Sequence, residues 1–143
     1  MTMAVDFDGT IVENRYPEIG QEIPFAIDTL KMLIHDHHRL ILWTAREGKL
    51  LKDAVSWCRE RGVEFYAINR DYPEETIGSN PYFSRKLKAD LFIDDRNIGG
   101  LPDWGTIYRM ITEERTWNDI LYEENHASFD SLNRPRKKRW WQF

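Results

Sequence analysis

Two aspartates one residue apart close the first apolar run of the chain, Met3-Ala4-Val5-Asp6-Phe7-Asp8-Gly9-Thr10. If the run is a strand, alternation sends Asp6 and Asp8 to one side and Phe7 to the other. Paired carboxylates repel, and each desolvated charge is costly unless a cation lies between them. A hard divalent cation such as Mg²⁺ is the matching partner. A second acidic pair, Asp94-Asp95, ends the run Leu91-Phe92-Ile93, with Lys86 and Lys88 shortly before it. A third run, Arg39 to Thr44, ends in a hydroxyl and is followed by Ala45 and Arg46. Carboxylates that hold a cation, beside a hydroxyl and ammonium groups that bind phosphoryl oxygens, are the inventory of metal-assisted phosphoryl chemistry.

These groups act together only if the fold brings three distant segments to one edge. Apolar patterning predicts strands over 3–7, 39–44, 63–68 and 91–94, and a fifth over 106–110. A helix is predicted from Ile23-Pro24, with Ile23, Ala26, Ile27, Leu30, Leu33 and Ile34 at helical spacing. Others are predicted over 47–61, ended by Gly62, and over 117–124. Residues 69–85 read as a loop. This alternation predicts an α/β fold, a three-layer α/β/α Rossmann-like parallel sheet. Such sheets carry their sites outside the carboxyl ends of the strands, where Asp6, Asp8, Thr44, Asp94 and Asp95 all fall.

Composition narrows the class. The chain has 143 residues, 41% of them apolar, which suits one globular domain. No apolar run is long enough to span a membrane. No charged-then-apolar leader precedes the first strand, and the single cysteine, Cys58, has no intrachain partner, so a cytoplasmic protein is expected. The net charge of −4 is uneven: Arg134, Arg136, Lys137, Lys138 and Arg139 place +5 in the last ten residues and leave −9 on the rest. The division expected is a catalytic domain over 1–126 and a basic, aromatic tail over 127–143. That tail suits an anionic partner such as nucleic acid, through phosphate contacts and stacking, or is an uninvolved terminus. The run His35-Asp36-His37-His38 has zinc-binding side chains but lies in a helix-to-strand connection away from the acidic edge, and reads as a solvated turn.

The order and spacing of DFDGT, LWTAR and KLKADLFIDD resemble the haloacid dehalogenase (HAD) superfamily of phosphohydrolases over residues 3–110. The resemblance implies that Asp6 is a nucleophile and Asp8 a general acid and base that also lends its backbone carbonyl to a metal. It makes Thr44 the phosphate-binding hydroxyl, flanked by Ala45 and Arg46 as further substrate contacts. Lys86 is the site lysine, with Lys88 in reserve. Asp95 is a direct Mg²⁺ ligand and Asp94 a second or outer-shell one. Thr10 is placed to brace Asp8, while Arg46 has either substrate, Glu47 or Asp95 as its partner. An acid at position 8 favours phosphate-ester chemistry over dehalogenation. The gaps before Pro24 and between Thr44 and Lys86 are too short for a cap of about fifty residues, so a HAD-like fold with no separate cap domain is expected. The implied activity is phosphomonoester hydrolysis of a sugar phosphate, nucleotide or phosphorylated polymer end. Two other classes share features. A phospho-acceptor signalling domain has the same inventory, but its acidic pair follows the first strand and its phosphorylated aspartate stands alone later. A catalytically idle HAD-like module that binds nucleic acid or another anion has no need of the full acidic set.

Overall fold

Thr2–Val5 forms β1, and three further strands run parallel to it in one sheet of the computed structural model, which describes residues 1–130. They are β2 (Arg39–Leu42), β3 (Ala67–Ile68) and β4 (Leu91–Ile93), in the order β3-β2-β1-β4. Pairing continues past β1, since Asp6 N donates to Ile93 O and Trp43 N to Val5 O. β1 therefore lies between β2 and β4, and its carboxyl end is the switch point where the strand order reverses. The chain divides into two units, Met1–Gly105 and a second from Thr106.

Register assigns the two faces of the sheet. Ala4 pairs with Ile41 and Phe92, and Ile41 pairs with Ala67. Partners in register share a face, so these residues form one apolar row, and Leu87 and Ala89 of the 69–90 segment pack against it. A loop rather than a helix thus covers this row. Helices α1 (Ala26–His35) and α2 (Gly48–Glu60) connect β1 to β2 and β2 to β3. Two right-handed crossovers stepping in the same direction place both helices on one face. That face is the one bearing Phe7, whose ring meets Trp57 of α2 edge-on at 5.8 Å.

Several boundaries differ from those the pattern implies. α1 begins two residues after Pro24. Ala26 N donates to Ile23 O, and Phe25 lies at φ 66, ψ 5, which is the geometry of a type II turn. Glu22 Oε1 then accepts from Ile27 N in place of a side-chain cap at residue 25. β3 is only two residues long, although Val63 is buried as a strand residue would be. The expected fifth strand over 106–110 is instead part of helix α3 (Trp104–Thr112). Its buried residues Trp104, Ile107 and Ile111 recur at spacings of three and four, the period of a helix, and this outweighs the β-propensity of Ile107 and Tyr108. Helix α4 (Trp117–Asp130) opens on a capping box: Asp119 N donates to Thr116 Oγ1, and Thr116 N donates to Asp119 Oδ2. It continues past Glu124 and past the boundary expected at residue 127. Residues 131–143, with the basic cluster, lie outside the described residues.

The class is α/β, a small Rossmann-like parallel sheet, and among the described residues there is no separate cap domain. Between Val12 and Glu22, which bridge each other, the chain makes a closed loop with Glu13 N donating to Gln21 O. Gly20 permits this closure, because a Cβ there would sit 2.0 Å from Glu13 O. Among the described residues no helix is long and apolar enough to cross a membrane. The His35–His38 run is the last residue of α1 and the turn after it: His35 Nδ1 lies 3.4 Å from Asp36 Oδ1, and His38 Nδ1 lies 3.2 Å from the amino terminus.

Candidate active site

The sequence after β1 folds back on itself at once. Thr10, Ile11 and Val12 all direct their N–H groups at Phe7 O, and Gly9 N donates to Val12 O. Gly9 adopts φ +89, and a Cβ built on it would lie 2.3 Å from Asp95 Oδ2. The glycine therefore does two things: it makes the reversal and it leaves room for the Asp95 carboxylate to press against the backbone. The buried Trp104 indole anchors the turn, donating from Nε1 to Thr10 O at 3.0 Å.

This reversal decides which carboxylates meet. Thr10 Oγ1 donates to Asp6 Oδ2 at 3.0 Å, lies 3.4 Å from Asp95 Oδ1, and accepts from Asp95 N at 3.1 Å. Thr10 thus braces Asp6 and Asp95, not Asp8 as expected. Asp6, Asp94 and Asp95 each offer an oxygen within 4.8 Å of the others. Asp94 is oriented by its own turn, in which Oδ1 accepts from Arg96 N and the carbonyl accepts from Asn97 Nδ2. Burial first, and then the charges of Asp94 and Asp95, push the Asp6 carboxyl up to about 7. Three converging carboxylates, one of them made hard to ionise chiefly by burial, are a donor set that fits a hard divalent cation.

Asp8 goes elsewhere. Strand alternation ends with β1, and the Asp8 side chain forms a two-pronged pair with Arg46. Nε donates to Oδ2 at 2.7 Å and Nη2 to Oδ1 at 2.8 Å. The Asp8 carboxylate is therefore outside the three-carboxylate cluster, and the partner of Arg46 is Asp8 rather than Glu47 or Asp95. Both aspartates nonetheless line one cleft of about 600 Å³, together with Asn14, Tyr16, Trp43, Thr44, Ala45, Arg46, Asp94 and Arg96.

Thr44 is held by a residue that sequence reasoning passed over. Thr44 N donates to Asn69 Oδ1 and Asn69 Nδ2 donates to Thr44 O, both at 2.9 Å. Asn69 takes φ 53, a left-handed conformation that asparagine tolerates better than most residues. Its position just after β3 was the available signal. The Thr44 hydroxyl accepts from Arg46 N at 3.1 Å. The two lysines separate. Lys88 Nζ donates to Tyr82 O at 2.8 Å. Lys86 Nζ lies 5.4 Å from the Phe92 ring centre, and Lys86 is not among the residues lining the cleft. Asn14 and Tyr16 join the cleft from the 13–22 loop, which carries no motif.

Two results are expected from this geometry. Gly9→Ala should lower stability by about 1–3 kcal/mol, read from denaturant unfolding, because it strains the backbone and displaces Asp95. It should also weaken divalent-cation affinity by about 10–100-fold. The second concerns pH. In the metal-free protein the folded state keeps a proton on Asp6 up to about pH 7, whereas the unfolded chain loses it near 3.8. Stability contributed at this group therefore falls as pH rises through that window and levels off above it. A cation at Asp6 competes with that proton, so the rise in melting temperature on adding Mg²⁺ should be larger at pH 8 than at pH 5. Equal shifts would place the cation elsewhere.

No protein-family model matches the chain, and no curated protein matches it. A solved structure does: the conserved protein coded by locus from Bacteroides thetaiotaomicron is 69% identical, with a TM-score of 0.79, over 84% of this chain and 96% of that one. At that identity and coverage the chain belongs to the same protein family as this conserved Bacteroides protein.

Proposed function

We propose that the protein is a HAD-type phosphatase, a phosphomonoester hydrolase that works with Mg²⁺ through an aspartyl-phosphate on Asp6. One observation carries the reading: the carboxylates of Asp6, Asp94 and Asp95 converge beside a cleft that also receives Thr44 and Asp8. Mg²⁺ held by those three carboxylates and the Asp8 backbone carbonyl would offset the negative charge of carboxylate and phosphate as they approach. Asp6 attacks phosphorus, and its new O–P bond forms as the ester O–P bond breaks. The leaving oxygen takes a proton from Asp8. Asp8 then takes a proton from water, which attacks phosphorus and releases Asp6 and inorganic phosphate. The Thr44 hydroxyl uses a lone pair on Arg46 N and keeps its proton for a phosphoryl oxygen. Lys86 brings its ammonium to the transferring group by rotation of its long side chain. Tyr16, Trp43, Asn14 and Arg96 contact the rest of a phosphorylated substrate. The free, buried Cys58 suits a reducing, cytoplasmic setting.

The deciding assay is hydrolysis of p-nitrophenyl phosphate with and without Mg²⁺. Metal-stimulated release of p-nitrophenolate is expected. No release in either condition, with sugar phosphates and phosphorylated oligonucleotides also untouched, would leave the idle binding module as the better description.

A further inference from the structure

We infer that Arg46 is a positioning residue: one buried guanidinium fixes both the Asp8 carboxylate and the wall of the cleft formed by residues 13–22. Its catalytic arm rests on the phosphatase reading, and its structural arm does not.

The side chain is 1% exposed, so little of it is open to solvent even though Arg46 lines the cleft. Its four side-chain hydrogen bonds go to Asp8, Pro17 and Glu18. Two reach the Asp8 oxygens, Nη1 reaches Pro17 O at 3.0 Å and Nη2 reaches Glu18 O at 2.9 Å. The Phe7 and Tyr16 rings each lie 5.3 Å from its central carbon. A planar fork with five donors can satisfy a carboxylate and two carbonyls at once. A lysine ammonium has three donors and no such plane, so it cannot hold all four acceptors in place. The sequence links the parts further. Arg46 N caps the Thr44 hydroxyl, so the residue that orients Asp8 also shapes the turn presenting Thr44. Asn14 and Tyr16, which line the cleft, sit on the same 13–22 loop that Arg46 grips through Pro17 and Glu18. The acid-base residue and the substrate wall are thereby tied to a single side chain.

The test uses the full chain and the variants Arg46→Lys, Asp8→Asn and the pair combined. Turnover of p-nitrophenyl phosphate with Mg²⁺ should fall about 10–100-fold in Arg46→Lys, mostly in kcat, which is within the range for losing a well-placed acid-base group. The double variant should turn over within about threefold of Asp8→Asn alone, because a residue acting through Asp8 has little left to lose once Asp8 is gone. Amide hydrogen exchange read by mass spectrometry should rise in residues 13–22 for both single variants, relative to β1 and β2. Arg46→Lys retains the buried charge, and Asp8→Asn probes the same link from the other end, so misfolding of one leaves the other to decide. Fully multiplicative losses in the double variant, or unchanged exchange over 13–22 in both single variants, would overturn the inference. If the unsubstituted protein shows no turnover, the phosphatase reading fails and the exchange result alone settles whether Arg46 ties Asp8 to the loop.

Discussion

Asp6→Asn is expected to lower turnover of p-nitrophenyl phosphate by on the order of 10⁴-fold or more, while the protein melts at or above the original temperature. The loss follows from the nucleophile itself. A neutral amide attacks phosphorus poorly and contributes a weaker ligand to the cation. The stability gain follows from the electrostatics of the metal-free site. Burial and the nearby Asp94 and Asp95 push the Asp6 carboxyl up to about 7, so at pH 8 the folded protein carries a charge that its surroundings disfavour. Asparagine removes that charge and can still accept the hydrogen bond from Thr10 Oγ1. The melting temperature of the variant should therefore exceed that of the parent at pH 8 without metal, and the difference should close by pH 5. Turnover comparable to the parent, with deamidation back to aspartate excluded by mass spectrometry, would remove Asp6 from the role of nucleophile. A large drop in melting temperature would show instead that the Asp6 charge is satisfied within the fold.

Chelation is the second large effect. EDTA should abolish hydrolysis, Mg²⁺ should restore it, and Ca²⁺ should bind without restoring it. The three carboxylates suit either ion by charge, so binding alone does not separate them. Ca²⁺ accepts more ligands over longer distances and can engage both oxygens of one carboxylate, which would occupy the Asp6 oxygen needed for attack. The measurement is the rate in chelated protein titrated with each cation, alongside thermal shift to show that Ca²⁺ is bound. Full rates in EDTA, or equal rates with the two ions, would contradict a metal-assisted attack by Asp6.

The parallel strands were legible because their residues repeat a local rule. Buried runs such as Met3–Val5 and Leu40–Leu42, alternating with helical spacing over 26–35 and 48–60, are short-range patterns, and each strand end could be located within a few residues. Short-range pattern failed where it was ambiguous. Residues 106–110 carry β-favouring side chains on a helical period, and Pro24 and Phe25 form a turn ahead of α1 rather than its first turn.

The site divides along the same line. Chemistry-bearing residues were visible by type and order: Asp6 and Asp8 after one strand, Thr44 after another, Asp94 and Asp95 after a third. In a parallel sheet, strand ends of this kind gather at one edge whatever the loops do. Who touches whom was not visible. A one-residue alternation would have kept Asp6 and Asp8 together, but β1 ends at Val5, and the turn through Gly9 sends Asp6 to Asp94 and Asp95 and Asp8 to Arg46. Thr10 serves Asp6 and Asp95 for the same reason. Asn69, Trp104 and the carbonyls of Pro17 and Glu18 enter the site from segments without a motif, up to 94 positions away from the residues they hold. The sequence by itself determined the strand ends and the reactive groups placed there, since both follow from neighbouring residues. The pairing of those groups was decided by the tertiary structure, because a hydrogen bond between distant residues depends on where whole segments are packed and not on any spacing along the chain.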